Sequence, residues 1–214
     1  MDKDDYESAT SDDGDSGNTR HRILEAALLE FAEHGVAGAR VDRIASRAEV
    51  NKALLYYYYQ SKENLYRETL TTFLKDIVGV VRLRLESVQT LEDALTAVAD
   101  HYRTVFLTRP QIPNLILREL ANPSSELVPA WAEQIRASGV PALLRRFVEK
   151  EYAEGHLREL DLRQAVVSFI TMQLGYYLMS PLIDRVLQIP DRKEFVMHRP
   201  SAVVDLFLHG VNAR

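Results

Sequence analysis

The sequence predicts an all-α protein: a small N-terminal three-helix unit over residues 19–67, followed by a larger helical domain over 68–214. Three observations carry this. From Thr19 onward, apolar residues recur at three- and four-residue spacing almost throughout. No stretch alternates polar and apolar residues over the length of a credible strand. Glycine and proline punctuate the pattern at helix-length intervals. With 214 residues, 46% of them hydrophobic, the chain can bury a sizeable core.

The elements follow in order. Residues 1–18 (MDKDDYESATSDDGDSGN) hold seven acids against one lysine and almost nothing apolar. Burial cannot offset their ordering entropy, so a disordered, solvated acidic tail is expected there. Ile23, Ala27 and Phe31, with Leu24 and Leu28 beside them, make one apolar stripe, and Gly35 supplies the left-handed residue that ends a helix. A short helix follows through Val41, Ile44, Ala45 and Ala48. After Glu49-Val50-Asn51 another begins at Lys52, with Asn51 as its N-cap. Ser61 caps a long helix reaching Ser87, and Glu63 suits its positive end.

Beyond it, Leu91–Leu107 is helical and stops before Arg109-Pro110, and Ile112–Ala121 is short with Pro113 in its first turn. Ser125–Gly155 is one kinked helix or two, because Pro141 removes a backbone donor. Asp161–Val186 and Lys193–Val211 complete the chain. Gln164–Ile183 is twenty residues without a charge, long enough to span a bilayer. Its Gln164, Ser168, Thr171, Gln173 and Ser180, and flanks without an aromatic belt or a Lys/Arg bias, favour instead a helix buried in a core or between subunits. Together with the apolar run Val203–Leu208 it predicts self-association.

Charge and chemistry narrow the function. The net charge is −5, but residues 1–18 account for −6, residues 19–67 are +2 and residues 68–214 are −1. Within 34–62, Arg40, Arg43, Arg47, Lys52 and Lys62 face only Asp42 and Glu49, and local sign matters more than overall charge when a small face binds. There is no cysteine, which excludes a disulfide scaffold, a cysteine-ligated zinc and a cysteine nucleophile. The acidic start lacks an apolar signal-type run, so a cytoplasmic protein is expected. None of the six histidines forms an i, i+4 pair or a metal-ligand spacing with a carboxylate, and no phosphate loop or nucleophile elbow is present. No catalytic residues, cofactor or metal site are therefore expected, and the protein is not expected to be an enzyme.

Two short helices joined by a four-residue turn form a helix-turn-helix pattern, the second helix being the one that enters a major groove. The alternative is a helical hairpin that only packs. The tyrosine run strengthens the first reading. Leu55 and Tyr59 share a face that packs inward, while four consecutive tyrosines, Tyr56–Tyr59, cannot all be buried when each step turns the side chain by about 100°. Lys52 can then reach guanine O6/N7, Ala53 or Leu54 a thymine methyl, and exposed phenols phosphate oxygens. Lys62 starts a helix whose free N–H groups favour a phosphate.

Residues 35–65, GVAGARVDRIASRAEVNKALLYYYYQSKENL, resemble the DNA-binding signature of the TetR (tetracycline-repressor) family of transcriptional regulators. The matching positions are Gly35, Ile44, Ala45, Ala48, Val50, Leu55, Tyr56, Tyr57, Tyr58, Ser61, Lys62, Glu63 and Leu65. The resemblance implies that Lys52, Ala53 and Leu54 face base edges and that Tyr56, Tyr57 and Lys62 contact phosphates. Arg40 and Arg43 complete the expected DNA-binding set, with Arg20 and Arg22 as further candidates for neighbouring phosphates. Three departures stand out: Ala39-Arg40 replaces a Thr/Ser pair that would cap the second helix, Glu49 stands where glycine is usual, and Tyr59 replaces a buried phenylalanine.

The resemblance also implies a helical domain that binds a small effector and dimerises through the last two long helices, 161–186 and 193–212. A symmetric dimer predicts a palindromic operator with half-sites about 34–36 Å apart or a multiple of that. A mainly apolar effector site is expected from Tyr102, Phe106, Leu117, Arg118, Trp131, Phe147, Phe169, Met172, Gln173 and Tyr176. The expected function is thus a ligand-released repressor; an effector-independent activator or architectural DNA binder is the alternative, and a helical carrier or enzyme a more distant one.

Overall fold

The computed structural model describes residues 9–211, and side chains from residue 17 to 209. Among these residues there are ten helices: α1 (Ala9–Gly38), α2 (Val41–Arg47), α3 (Lys52–Tyr59), α4 (Lys62–Glu86), α5 (Leu91–Thr108), α6 (Ile112–Leu120), α7 (Leu127–Ala137), α8 (Val140–Ala153), α9 (Leu162–Val186) and α10 (Arg192–Val211). The all-α expectation holds among the described residues.

Most boundaries agree with the sequence pattern to within a residue or two, because the capping residues act as expected. Asn51 Oδ1 accepts the Ala53 N–H (2.9 Å) at the start of α3, and Ser61 Oγ accepts the Asn64 N–H (3.0 Å) at the start of α4. Thr90 and Asp161 cap α5 and α9 in the same way. Gly35 sits at φ +66° and interrupts α1, as anticipated, although helical turns resume as far as Gly38.

One expectation needs correction. Helix α1 begins at Ala9, so residues 9–18 of the segment expected to be disordered are helical; residues 1–8 lie outside the described residues. Once the apolar stripe from Ile23 to Phe31 has fixed a helix, each added residue closes one more backbone bond, and no proline stops propagation toward the N-terminus. Of the two readings of Ser125–Gly155, the second holds: α7 and α8 are separate helices, and Pro141 kinks neither. It lies in the first turn of α8, where its missing N–H has no bond to lose, and Gly139 at φ +82° separates α7 from α8. By its internal contacts the chain divides into a unit ending at Leu74 and one starting at Lys75. Helix α4 spans that division. Its first turns carry buried Leu65 and Tyr66, and the Tyr66 ring stands edge-on to Phe31 of α1 at 5.0 Å.

The first unit is built on buried Ile23, Leu28, Phe31, Ile44, Leu55 and Leu65. In the second, α5 packs against α8, α9 and α10. Its core joins Val81 and Leu85 of α4, Leu95 and Val98 of α5, Phe147 of α8, Phe169 of α9, and Val203 and Val204 of α10. One face of α9 is buried through Phe169, Gln173, Tyr176, Tyr177 and Ser180. Other α9 positions, Val166, Val167, Met179, Leu182 and Val186, are exposed apolar residues, as are Met197 and Leu206 on α10. Helix α9 is long and apolar enough to cross a membrane, with mean hydropathy 1.4, yet its buried face packs on helices of its own chain. His101 of α5 is buried, and burial holds its pKa below the ordinary 6.5.

Candidate nucleic-acid interface

Helices α2 and α3 are joined by a turn whose hydrogen bonds explain its shape. Val50 N–H donates to Ala45 C=O (3.0 Å) and Glu49 N–H to Ser46 C=O (3.2 Å), the paired bonds that close a helix when the next residue turns left-handed. That residue is Glu49, at φ +55°. The sequence departure is therefore a real strain, worth roughly 1 kcal/mol in a non-glycine residue. Replacing Glu49 with glycine is expected to stabilise the first unit by about that amount despite the added freedom of the unfolded chain. Urea unfolding of the two proteins measures it; an unchanged or lowered midpoint would contradict the strain.

Recognition-type geometry appears on α3. Leu55 (2% exposed) and Tyr59 anchor it to the core, as the spacing predicted, whereas Tyr56 (46%) and Tyr57 (78%) are exposed. Lys52 and Ala53 are also exposed, and Leu54 is half-buried. The rings of Tyr57 and Tyr58 meet edge-on at 5.4 Å, which holds the outer phenol in place. Lys52 Nζ lies 2.7 Å from Asp42 Oδ1 across the turn, an exposed pair that can open toward an approaching anion. Lys62, half-buried at the first turn of α4, donates to Ala39 C=O at 3.4 Å.

Two basic residues expected to meet phosphates have other partners. Arg43 reaches inward. Its Nε donates to Glu30 Oε1 (2.7 Å), its Nη2 lies 2.6 Å from the same oxygen, and that Nη2 also donates to Gly38 C=O (3.2 Å). Arg20 lies over the Tyr58 ring, 5.8 Å from its centroid, and 4.0 Å from Glu68. The Tyr59 hydroxyl, flagged by its replacement of phenylalanine, is buried and makes no hydrogen bond of good geometry among the described residues; burial pushes its pKa up against the pull of nearby Arg20.

Glu30 is the residue that sequence reasoning missed. It is 1% exposed on α1, and its Oε1 accepts the backbone N–H of Arg40 (2.9 Å) as well as Arg43. Arg40 is the N-cap of α2 and contributes no side-chain cap, as the missing Thr/Ser hydroxyl foretold; a carboxylate from another helix does that work. Burial alone would raise the Glu30 pKa, but the Arg43 hydrogen bond, the Arg40 N–H and the nearby positive charges outweigh it and hold the carboxyl below its ordinary 4.5. The signal was present: Glu30 stands seven residues after Ile23, on the apolar stripe, where an acid needs a buried partner.

The histidine reading also needs correction. His34 approaches Glu30 (3.8 Å) at i, i+4 and Glu33 (3.7 Å), and His156 approaches Glu151 (3.0 Å) and Glu154 (3.5 Å), so two groups of metal-ligand type exist among the described residues. In the first, Arg43 and Arg47 already neutralise the carboxylates. The second is a largely exposed cluster.

The expected effector residues separate. Leu117 (45%) and Arg118 are exposed on α6, and Trp131 is half-buried on α7 with its Nε1–H buried and unpaired. Phe147 and Phe169 belong to the core. The Tyr176 hydroxyl is engaged, donating to Asp184 Oδ1 at 2.8 Å. Tyr102 and Phe106 on α5 stack at 6.3 Å, and Phe106 meets Tyr177 of α9 at 4.7 Å. An apolar cavity of about 50 Å³ lies between α5, α8, α9 and α10, lined by Leu91, Leu95, Val98, Leu144, Phe169 and Phe207 among others; of the expected residues only Phe169 lines it. Pattern located the helices that carry the cavity but not which of their turns face it.

Two short helices joined by a tight turn, the second presenting a lysine and tyrosines away from an anchored apolar face, have the arrangement of a helix-turn-helix unit. Residues 23–69, which hold α2 and α3, match the family described as bacterial regulatory proteins, tetR family. The transcriptional repressor SCO4008 of Streptomyces coelicolor is 43% identical over 77 residues, covering 36% of this chain and 40% of that protein. The repressor NicS of Pseudomonas putida is 28% identical over 147 residues, 66% of each chain. The chain thus spans 40% to 66% of the length of these two relatives. Among solved structures, the regulator SCO4942 of Streptomyces coelicolor superposes with TM-score 0.63 at 27% identity, covering 90% of this chain and 98% of that one. The fold of FadR from Bacillus subtilis, solved in complex with stearoyl-CoA, matches with TM-score 0.69 at 19% identity over 89% of this chain and 98% of that one.

Proposed function

We propose that the protein is a cytoplasmic, homodimeric transcriptional repressor that binds a palindromic operator and is released from it by a small, mainly apolar effector. The observation that carries this reading is the free outer face of α3: Lys52, Ala53, Tyr56 and Tyr57 stand exposed while Leu55 and Tyr59 hold the helix to its core. Lys52 and Ala53, with Leu54 beside them, read base edges in the major groove, and Tyr56, Tyr57, Lys62 and Arg40 hold phosphates. Arg43 serves from behind, through Glu30.

Dimerisation is supported by the exposed apolar residues of α9 and α10, which a symmetry mate covers; residue 212, the end of the expected interface, lies outside the described residues. Effector binding in the second unit acts through α4, whose length contributes to both units, and such coupling typically requires about 1–3 kcal/mol of differential affinity. Similarity to the two repressors supports the sign of regulation.

The test is selection of bound sequences from random duplex DNA, followed by a shift assay across a salt series and sizing by light scattering. A palindromic consensus, a dimer, and affinity falling steeply with salt are expected. A monomer, or binding with no sequence preference, sinks the proposal.

A further inference from the structure

Several basic residues of the first unit face carboxylates of their own chain. Arg43 holds the buried Glu30 (2.6 Å) and Arg47 holds Glu33 (3.4 Å), both on α1, and Arg20 lies 4.0 Å from Glu68. Lys52 is paired as well, its Nζ 2.7 Å from Asp42 Oδ1, but this pair is placed differently. Asp42 stands in the first turn of α2 and Lys52 is the first residue of α3. Both are exposed, and Tyr56, four residues after Lys52 and on the same face, is exposed too. Of these pairs, it is the one that includes a residue of the outward face of α3. The contact also keeps both groups charged. The Lys52 hydrogen bond holds the Asp42 carboxyl below its ordinary 3.8, and the same bond raises Lys52 above 10.5.

The chemistry of an ammonium gives the pair a consequence. It has three N–H donors; one spent on Asp42 leaves two, which is what a guanine edge accepts through O6 and N7. A lysine on a free four-carbon stem is drawn instead to phosphates, whose charge is present at every step of the duplex and carries no sequence information. Capture by a phosphate makes Lys52 leave Asp42 and strands a bare carboxylate beside the DNA backbone. As a first-turn acid, Asp42 also suits the positive end of α2. That role needs no lysine, so the two can be told apart.

Resting on the operator-binding reading above, we propose that Asp42 is a specificity-determining positioning residue: it holds Lys52 with two N–H groups free for a guanine edge and withholds that charge from phosphates. Arg40, Lys62, Tyr56 and Tyr57 are left to hold the backbone. The pair persists when the correct base edge is met and is broken when the lysine turns to a phosphate, so Asp42 weakens binding to wrong sequences more than to the operator.

The experiment uses the full chain and two duplexes, the selected operator and a scrambled sequence of the same length and composition, titrated by fluorescence anisotropy across a salt series. Asp42→Asn is expected to bind the scrambled duplex about three- to tenfold more tightly at about 0.1 M salt, the release of an exposed ion pair plus the loss of a repelling charge. Its log K against log salt on that duplex steepens by about 0.9, the signature of one added phosphate contact. Operator affinity is unchanged or rises by less than about twofold, so the specificity ratio falls. In the Lys52→Ala background the same substitution is expected to leave the slope nearly unchanged, because there is no lysine to release. Replacing half-site guanines one at a time with 7-deazaguanine, which lacks the N7 acceptor, is expected to weaken the parent at one position. That penalty shrinks in Asp42→Asn and vanishes in Lys52→Ala.

Equal steepening with and without Lys52 means that Asp42 merely repels DNA, and overturns the proposal. A lowered Tm for Asp42→Asn with parallel loss on both duplexes assigns the residue to the end of α2 and overturns it too. A sequence-specific parent whose ratio and slope survive Asp42→Asn removes Asp42 and leaves the regulator reading standing; a parent without sequence preference sinks both.

Discussion

Lys52→Ala is expected to weaken operator binding by roughly 10- to 100-fold, the loss that follows from removing one side chain with base-edge contacts worth about 1–3 kcal/mol. Two effects add. The lysine itself is lost from the start of α3, and Asp42, which Lys52 neutralises at 2.7 Å, is left bare on the surface that meets DNA. The two can be separated. Asp42→Asn in the Lys52→Ala background is expected to recover part of the affinity, and Asp42→Asn alone to bind at least as tightly as the parent, since both remove a negative charge facing phosphates. Tyr57→Ala, at the most exposed ring of the run, is expected to weaken binding without moving the unfolding midpoint, because that ring makes little contact with the core. Fluorescence anisotropy with the selected operator measures all four variants at one salt concentration. Parent-like affinity for both Lys52→Ala and Tyr57→Ala would mean that α3 is not the reading helix.

Glu30→Ala is expected to lower the stability of the first unit by about 2–3 kcal/mol. It removes the acceptor of the Arg40 N–H, strips α2 of its N-terminal tether and leaves the Arg43 guanidinium without its anion. Discounting for Arg43, which is partly exposed, keeps the estimate below that for a wholly buried pair. Glu30→Gln retains the shape and one acceptor and is expected to lose less. Operator affinity falls in both even where the proteins remain folded, because α2 sets the position of α3.

The pH dependence has a definite sign. The folded state holds the Glu30 carboxyl below its ordinary 4.5, so its contribution is complete above that value and is lost as pH falls through the folded-state value. Unfolding followed by circular dichroism between pH 3 and 7 is expected to show a steeper acid loss in the parent than in Glu30→Gln. Parallel profiles for the two proteins would remove Glu30 from this role.

The helical class, the caps Asn51 and Ser61, the break at Gly35, and the division of α3 into an anchored and an outward face were all legible in the chain, because each follows from neighbours within a turn or two. The family resemblance lay in the same stretch. Glu49 was legible as a departure, and its left-handed backbone makes that departure a strain. The lining of the cavity in the second unit was not legible. Periodicity tells which side of a helix is apolar but not which turn borders a void, so Leu95 and Val98, which line it, could not be told from other apolar positions of α5.

Local spacing, then, determined the helices, their ends and the residues that α3 turns outward, since all of these depend on side chains one to four positions apart. Only the tertiary structure decided that Arg43 turns in to Glu30 thirteen residues away, and that the Gln173 amide and the Tyr177 hydroxyl are buried without a partner among the described residues. Partnership between distant charges, and the lack of any partner for a buried amide, depend on how whole helices meet. No window of sequence short enough to show periodicity contains that information.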